Sequence, residues 1–227
     1  MDFAGMFRTW LNVLTRPGEE VFEEERQRET ATFATAFIWI AIAAVLASIF
    51  GVFQGLIQLT FNFESMWVQI LSELDPVTAE QLAPMMPMLA GAGFGSLVFA
   101  FCIGIVLVPV FFFMGSLLWF AVAKLFGGSG EFEEQTYLLG TFSAPITIIN
   151  AVLGIIPVLN ICTGIAIFVY QLVLTYFALK VSHNLTSGRA LGVILTLVGG
   201  VFLLLCCAVA LLSFGMAALM EGAGTSF

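Results

Sequence analysis

The sequence predicts an all-α, polytopic membrane protein: a helical bundle of five transmembrane helices with interfacial amphipathic helices, N-terminus cytoplasmic and C-terminus outside. Three observations predict it. Hydrophobic residues make up 60% of the 227 and charged residues only 10%, against about 25% charged in soluble domains, so lipid must solvate much of the chain. The apolar residues gather in five blocks, each long enough for the ~20 residues that a span needs. All seven basic residues also fall on one side of a five-span plot. Arg8, Arg16, Arg26 and Arg28 precede the first block, Lys124 ends the second, Lys180 ends the fourth and Arg189 opens the fifth. Short loops rich in Lys and Arg stay cytoplasmic, so the five-span plot breaks the rule nowhere.

The chain divides into a cytosolic helix pair (1–31), a membrane domain (32–220) and an outside tail (221–227). In the first part, Phe3, Met6, Phe7, Trp10, Leu11 and Leu14 recur at helical spacing. Such a helix lies either in the membrane interface or against the protein's own cytosolic face. Pro17 opens a second short helix, where its missing N–H costs nothing. Glu19, Glu20, Glu23 and Glu24 crowd its positive end, and Arg26 and Arg28 stand toward its negative end.

The first block covers about 32–59 and carries Gln54 and Gln58 near its outer end. Met66, Trp67, Ile70, Leu71 and Leu74 then form a stripe that predicts a helix lying flat on the outer leaflet. Asp75 caps a turn from Pro76, and Pro84 and Pro87 close the segment. The second block, about 91–126, opens on a loose lead-in at Gly91, Gly93 and Gly95 and is kinked by Pro109. Gly127-Gly128-Ser129-Gly130 reads as a flexible cytosolic turn. Blocks three and four cover about 135–156, with Pro145 inside, and 159–179, joined through a turn holding Pro157. Block five covers about 190–220. Its Gly192, Thr196 and Gly200 stand at a spacing that lets helices approach closely, within the chain or across a dimer.

The net charge of −8 comes from acids in loops and tails. It argues against nucleic-acid binding, which wants a basic footprint, and against a polybasic lipid anchor. Cys102, Cys162, Cys206 and Cys207 all lie in apolar blocks and read as small apolar residues. The first residues lack the apolar core of a signal peptide. No Asp, Glu, Lys, Arg or His lies well inside a block, which disfavours a proton-coupled transporter. Gly-Gly-Ser-Gly lacks the Lys of a phosphate loop. Glu131, Glu133 and Glu134 read as solvated acids, and His183 as a solvated loop residue. No catalytic constellation, metal set or cofactor site is expected. Asn150 and Gln171 lie in spans and are expected to hydrogen-bond between helices.

Several stretches carry a resemblance: Pro17 to Phe22; Leu125 to Phe132, with Gly127, Gly128 and Gly130; Tyr137 to Pro145, with Gly140; and Ser187 to Ala190, with Arg189. In their order and spacing they resemble the Yip family of Ypt/Rab-GTPase-interacting proteins, in particular its prokaryotic branch. The resemblance implies five spans, a cytosolic N-terminus and no known chemistry. Eukaryotic members carry Asp-Leu-x-Gly-Pro before the first span. Here Glu29-Thr30-Ala31-Thr32-Phe33 stands in its place, so GTPase binding is not carried over.

Three functions follow as expectations. The first is a non-catalytic scaffold of membrane organisation in a prokaryotic inner membrane, with the bilayer and a second copy or a membrane-protein partner around it. The second is a small-molecule, lipid or ion pathway lined by kinked helices and by Gln54, Gln58, Asn150 and Gln171. The third, an intramembrane enzyme using His183 or Glu131, has the least support.

Overall fold

The computed structural model describes residues 3–73, 78 and 86–224. Its helices are α1 (Phe3–Thr15), α2 (Glu19–Arg26), α3 (Phe33–Glu73), α4 (Met86–Leu125), α5 (Phe132–Leu153), α6 (Pro157–Ser182) and α7 (Ser187–Gly224). Among the described residues, five segments are long and apolar enough to cross a membrane: Phe33–Leu59, Gly91–Leu125, Phe132–Leu153, Thr163–Ser182 and Ser187–Ser213. The protein is an all-helical bundle.

The least apolar of the five segments is the most buried. Every residue of α5 from Gln135 to Ile146 except Ser143 is buried, because α1, α2, α3, α4 and α6 all pack on it. A helix this polar gains little from lipid but much from protein partners that satisfy its hydroxyls and amides. Gly140 permits one of these contacts: a Cβ there would stand 3.3 Å from that of Ala36 on α3. In contrast, α4 and α7 turn rows of Leu, Val and Phe outward, as helices in lipid do.

Two sequence expectations fail here. The stretch read as a separate helix on the outer leaflet continues α3, which runs without a break to Glu73. The lead-in at Gly91, Gly93 and Gly95 is helical, since α4 already begins at Met86. Glycine costs a helix about 1 kcal/mol relative to alanine, and in lipid the unmade backbone hydrogen bonds would cost more. The turn at Asp75 and Pro76, Pro84, and tail residues 225–227 lie outside the described residues. Of the small residues in α7, Gly192 packs against the Phe126 ring, whereas Gly200 faces open space.

One end of the bundle collects the start of α3, the α4–α5 loop, the α6–α7 loop and both short helices. All seven basic residues lie at this end. Here α2 carries Glu19 and Glu20 in its first turn and Arg26 in its last, as its dipole favours.

Candidate functional site

Two helix ends build the floor of the basic end. At the end of α4, Gly127 takes φ +85°, Gly127 N–H donates to Lys124 O at 3.0 Å, and Gly128 N–H donates to Ala123 O at 2.9 Å. The end of α6 repeats the pattern. Asn184 takes φ 52°, with Asn184 N–H on Val181 O and Leu185 N–H on Lys180 O. Both are left-handed caps that satisfy the last carbonyls of a helix. The two caps face each other, and Ser129 N–H donates to His183 O at 3.1 Å.

The Gly-Gly-Ser-Gly stretch is therefore a packed joint, correcting the expectation of a flexible turn. A Cβ on Gly128 would come within 2.7 Å of His183 Nδ1, and one on Gly130 would run into Ser182 O. Composition suggested freedom; the close approach of two backbones is what requires glycine.

His183 is also not solvated: it is 1% exposed. Gln135 Nε2 donates to Ser116 O at 2.8 Å, which turns Gln135 Oε1 toward the imidazole. His183 Nε2 therefore carries the proton and donates to that oxygen at 2.7 Å, leaving Nδ1 bare against Gly128. Burial, with Lys124 nearby, pushes the imidazole down to about 4, so it is neutral at physiological pH. The chain of contacts ends where Ser116 and Thr136 share a hydrogen bond of 2.8 Å.

Beside this floor α1 and α2 pack against the spans. Phe22 is fully buried, edge-on to Phe142 and stacked with Phe177. Trp10 meets Trp39 edge to face at 6.2 Å. Glu25 is 0% exposed. Arg28 Nη2 stands 2.9 Å from Glu25 Oε1 as an ion pair, although the two are not aligned as a hydrogen bond. Thr9 and Tyr137 hydroxyls donate to Glu25 Oε2, each at 3.3 Å. Burial pushes the Glu25 carboxyl above its ordinary value, against the pull of Arg28 and the two hydroxyls. Arg26 Nε pairs with Glu134 at 3.1 Å, Lys180 pairs with Glu19, and Tyr170 Oη donates to Leu14 O at 2.6 Å.

The acids expected to be solvated are in part structural too. Glu134 holds Arg26. Glu133 Oε1 accepts from the Phe33 N–H at 2.9 Å and so satisfies an orphan donor at the start of α3. Sequence reasoning also missed Glu25, Tyr137 and Gln135. For Gln135 and Tyr137 the signal was the run Glu133 to Tyr137, which is polar at the start of a span and calls for protein partners; Glu25, one acid among several on α2, carried none.

The structure gathers Gly127, Gly128, Gly130, Phe132 and Arg189 at this joint: Gly127 abuts Arg189, and Phe132 contacts Phe33 and Phe120. Phe22 docks above it, Gly140 and Pro145 lie buried along α5, and Pro17 stays exposed between the short helices. The polar positions in the spans lie apart from this joint. Gln54 Nε2 donates to Ala151 O at 2.6 Å, next to Asn150. Gln58 is exposed, and Gln171 stands half-buried midway along α6. No cluster of three metal-ligating side chains occurs among the described residues.

The model of the Yip1 domain matches residues 11–211. The chain belongs to the Yip1-domain family. That match spans α2 to α6 and includes each motif position from Pro17 to Arg189. No curated protein and no solved structure matches this Yip1-domain chain.

Proposed function

We propose that this Yip1-domain protein is a non-catalytic membrane scaffold whose N-terminal helix pair offers a fixed docking face to a protein partner. One observation carries the reading: α1 and α2 share the core of the spans through Phe22, Trp10 and Glu25. Helices seated in this way hold their outer surface in one orientation. That surface displays Glu20 and Glu29, which pair with no cation among the described residues and suit a partner with a basic surface. We place this end of the bundle, with the exposed acids Glu20 and Glu29, on the cytoplasmic side of a prokaryotic inner membrane, since short basic loops stay inside. Most buried polar side chains of the basic end bond to one another, as Gln135 does to His183 and Ser116, and Glu25 to Thr9 and Tyr137, an arrangement that serves structure. The pathway reading keeps less support, because the Gln54 amide is spent on a helix-to-helix bond. The test is co-isolation in native lipid: a stoichiometric partner released by Glu20→Lys with Glu29→Lys supports the scaffold.

A further inference from the structure

The outer face of α1 is unlike that of α2. Thr9, Trp10 and Val13 are buried on one side of α1, yet Phe3 is 61%, Phe7 58% and Leu11 48% exposed on another. These three recur every four residues and form one apolar stripe. Arg8 and Thr15 border that stripe on the same exposed side.

The depth of α1 decides what meets this stripe. Trp10 packs on Trp39, roughly two turns inside the first span. Leu14 O receives Tyr170 Oη, roughly three turns inside the fourth span. The helix thus lies alongside the spans, and its outer face is level with the lipid. An open cleft of about 760 Å³ runs beside the stripe, lined by Phe7, Arg8, Leu11, Asn12, Arg16 and Arg28. Glu24 is the one acid on its wall, 3.9 Å from Arg28. Arg8 and Arg16 have no acidic partner among the described residues. Two uncompensated guanidiniums beside an apolar stripe at lipid depth match an anion whose tail is apolar.

We propose that this cleft binds the phosphate headgroup of an anionic phospholipid of the adjoining leaflet, with Phe3, Phe7 and Leu11 seated among its acyl chains. Arg8 and Arg16 hold the phosphate through charge-assisted hydrogen bonds, and the apolar stripe fixes the height of α1. The site does not use Glu20 or Glu29, the acids of the proposed protein-partner face.

The test uses the full chain in nanodiscs of phosphatidylcholine and phosphatidylglycerol in equal parts, with retained lipid read by native mass spectrometry. The protein is expected to keep phosphatidylglycerol in preference to phosphatidylcholine. Arg8→Gln with Arg16→Gln is expected to weaken that preference roughly thirtyfold, while Arg189→Gln at the same end leaves it intact. Equal retention of both lipids, an unchanged preference in the double variant, or an equal loss in Arg189→Gln would overturn the proposal. So would displacement of the retained lipid by free glycerol phosphate, which would mark a site for a soluble anion. A second measurement does not depend on the arginine variants. With the four cysteines replaced by alanine, a nitroxide on Phe7→Cys is expected to meet dissolved oxygen more readily than an aqueous nickel complex, and one on Glu20→Cys, on the exposed side of α2, the reverse. A label at position 7 that favours the nickel complex would refute immersion of the stripe.

Discussion

His183 donates from Nε2 to Gln135 Oε1 at 2.7 Å, and this contact locks the α6–α7 loop onto the first turn of α5. The imidazole is neutral because burial and Lys124 hold it near 4, below its ordinary 6.5. The unfolded chain binds a proton between those values and the folded chain does not, so stability falls as pH drops from about 6.5 toward 4. The loss approaches about 3 kcal/mol for a shift of this size. Glu25 works in the opposite sense: its raised carboxyl keeps a proton that the unfolded chain has released, so its contribution to stability falls as pH rises above 4.5. Thermal unfolding of the detergent-purified protein across this range is expected to show the His183 loss, and His183→Leu to flatten it while lowering stability at pH 7.

Phe22 anchors α2 by filling a pocket between Phe142 and Phe177. Phe22→Ala removes that anchor, and truncating a buried phenylalanine costs about 3–5 kcal/mol. Hydrogen exchange is expected to rise through residues 3–26 and to change little in α7, which does not touch this cluster.

Gly130 and Gly188 separate close approach from mere flexibility. Gly130→Ala drives a Cβ into the Ser182 carbonyl, whereas Gly188 meets nothing within 4 Å. The first variant is expected to lose several degrees of melting temperature. The second is expected to hold or gain up to about 1 kcal/mol, as alanine does at a helical glycine that tolerates it. If both variants melt alike, the loops are not packed as described.

Gln54 ties α3 to the last turn of α5 through Ala151 O. Gln54→Leu is expected to lower stability by about 0.6 kcal/mol, the usual size of such a bond between spans. Leakage of dyes and ions from proteoliposomes is expected to stay unchanged. A changed flux at unchanged stability would favour a pathway.

The spans were legible in the sequence because each carries its own apolar signal. The basic end was not, because its order comes from contacts between segments far apart in sequence. Ser129 and His183 read as loop residues, and Glu133 as a solvated acid, until the fold brings each against its partner. Glycine has the same composition signal in a loose linker and in a tight joint, so Gly128 and Gly130 misled. Residues such as Gln135 and Tyr137 were visible as polar intruders in a span, but their partners were not. Of the two readings of the first helix, the protein face describes Trp10 and Val13, which are docked, while Phe3, Phe7 and Leu11 face outward and leave the interface reading to the lipid test.

The measurement that tests the scaffold most directly is mass spectrometry of the protein extracted in native lipid discs. Deleting residues 1–30 would strip Phe22 and Glu25 from the core, so the comparison is the wild type against Glu20→Lys with Glu29→Lys, both on the surface. The wild type is expected to carry a protein partner at fixed stoichiometry, absent from the double variant while the fold and lipid content stay the same. A wild-type disc with no protein partner, or a partner held equally by the double variant, would contradict the scaffold reading.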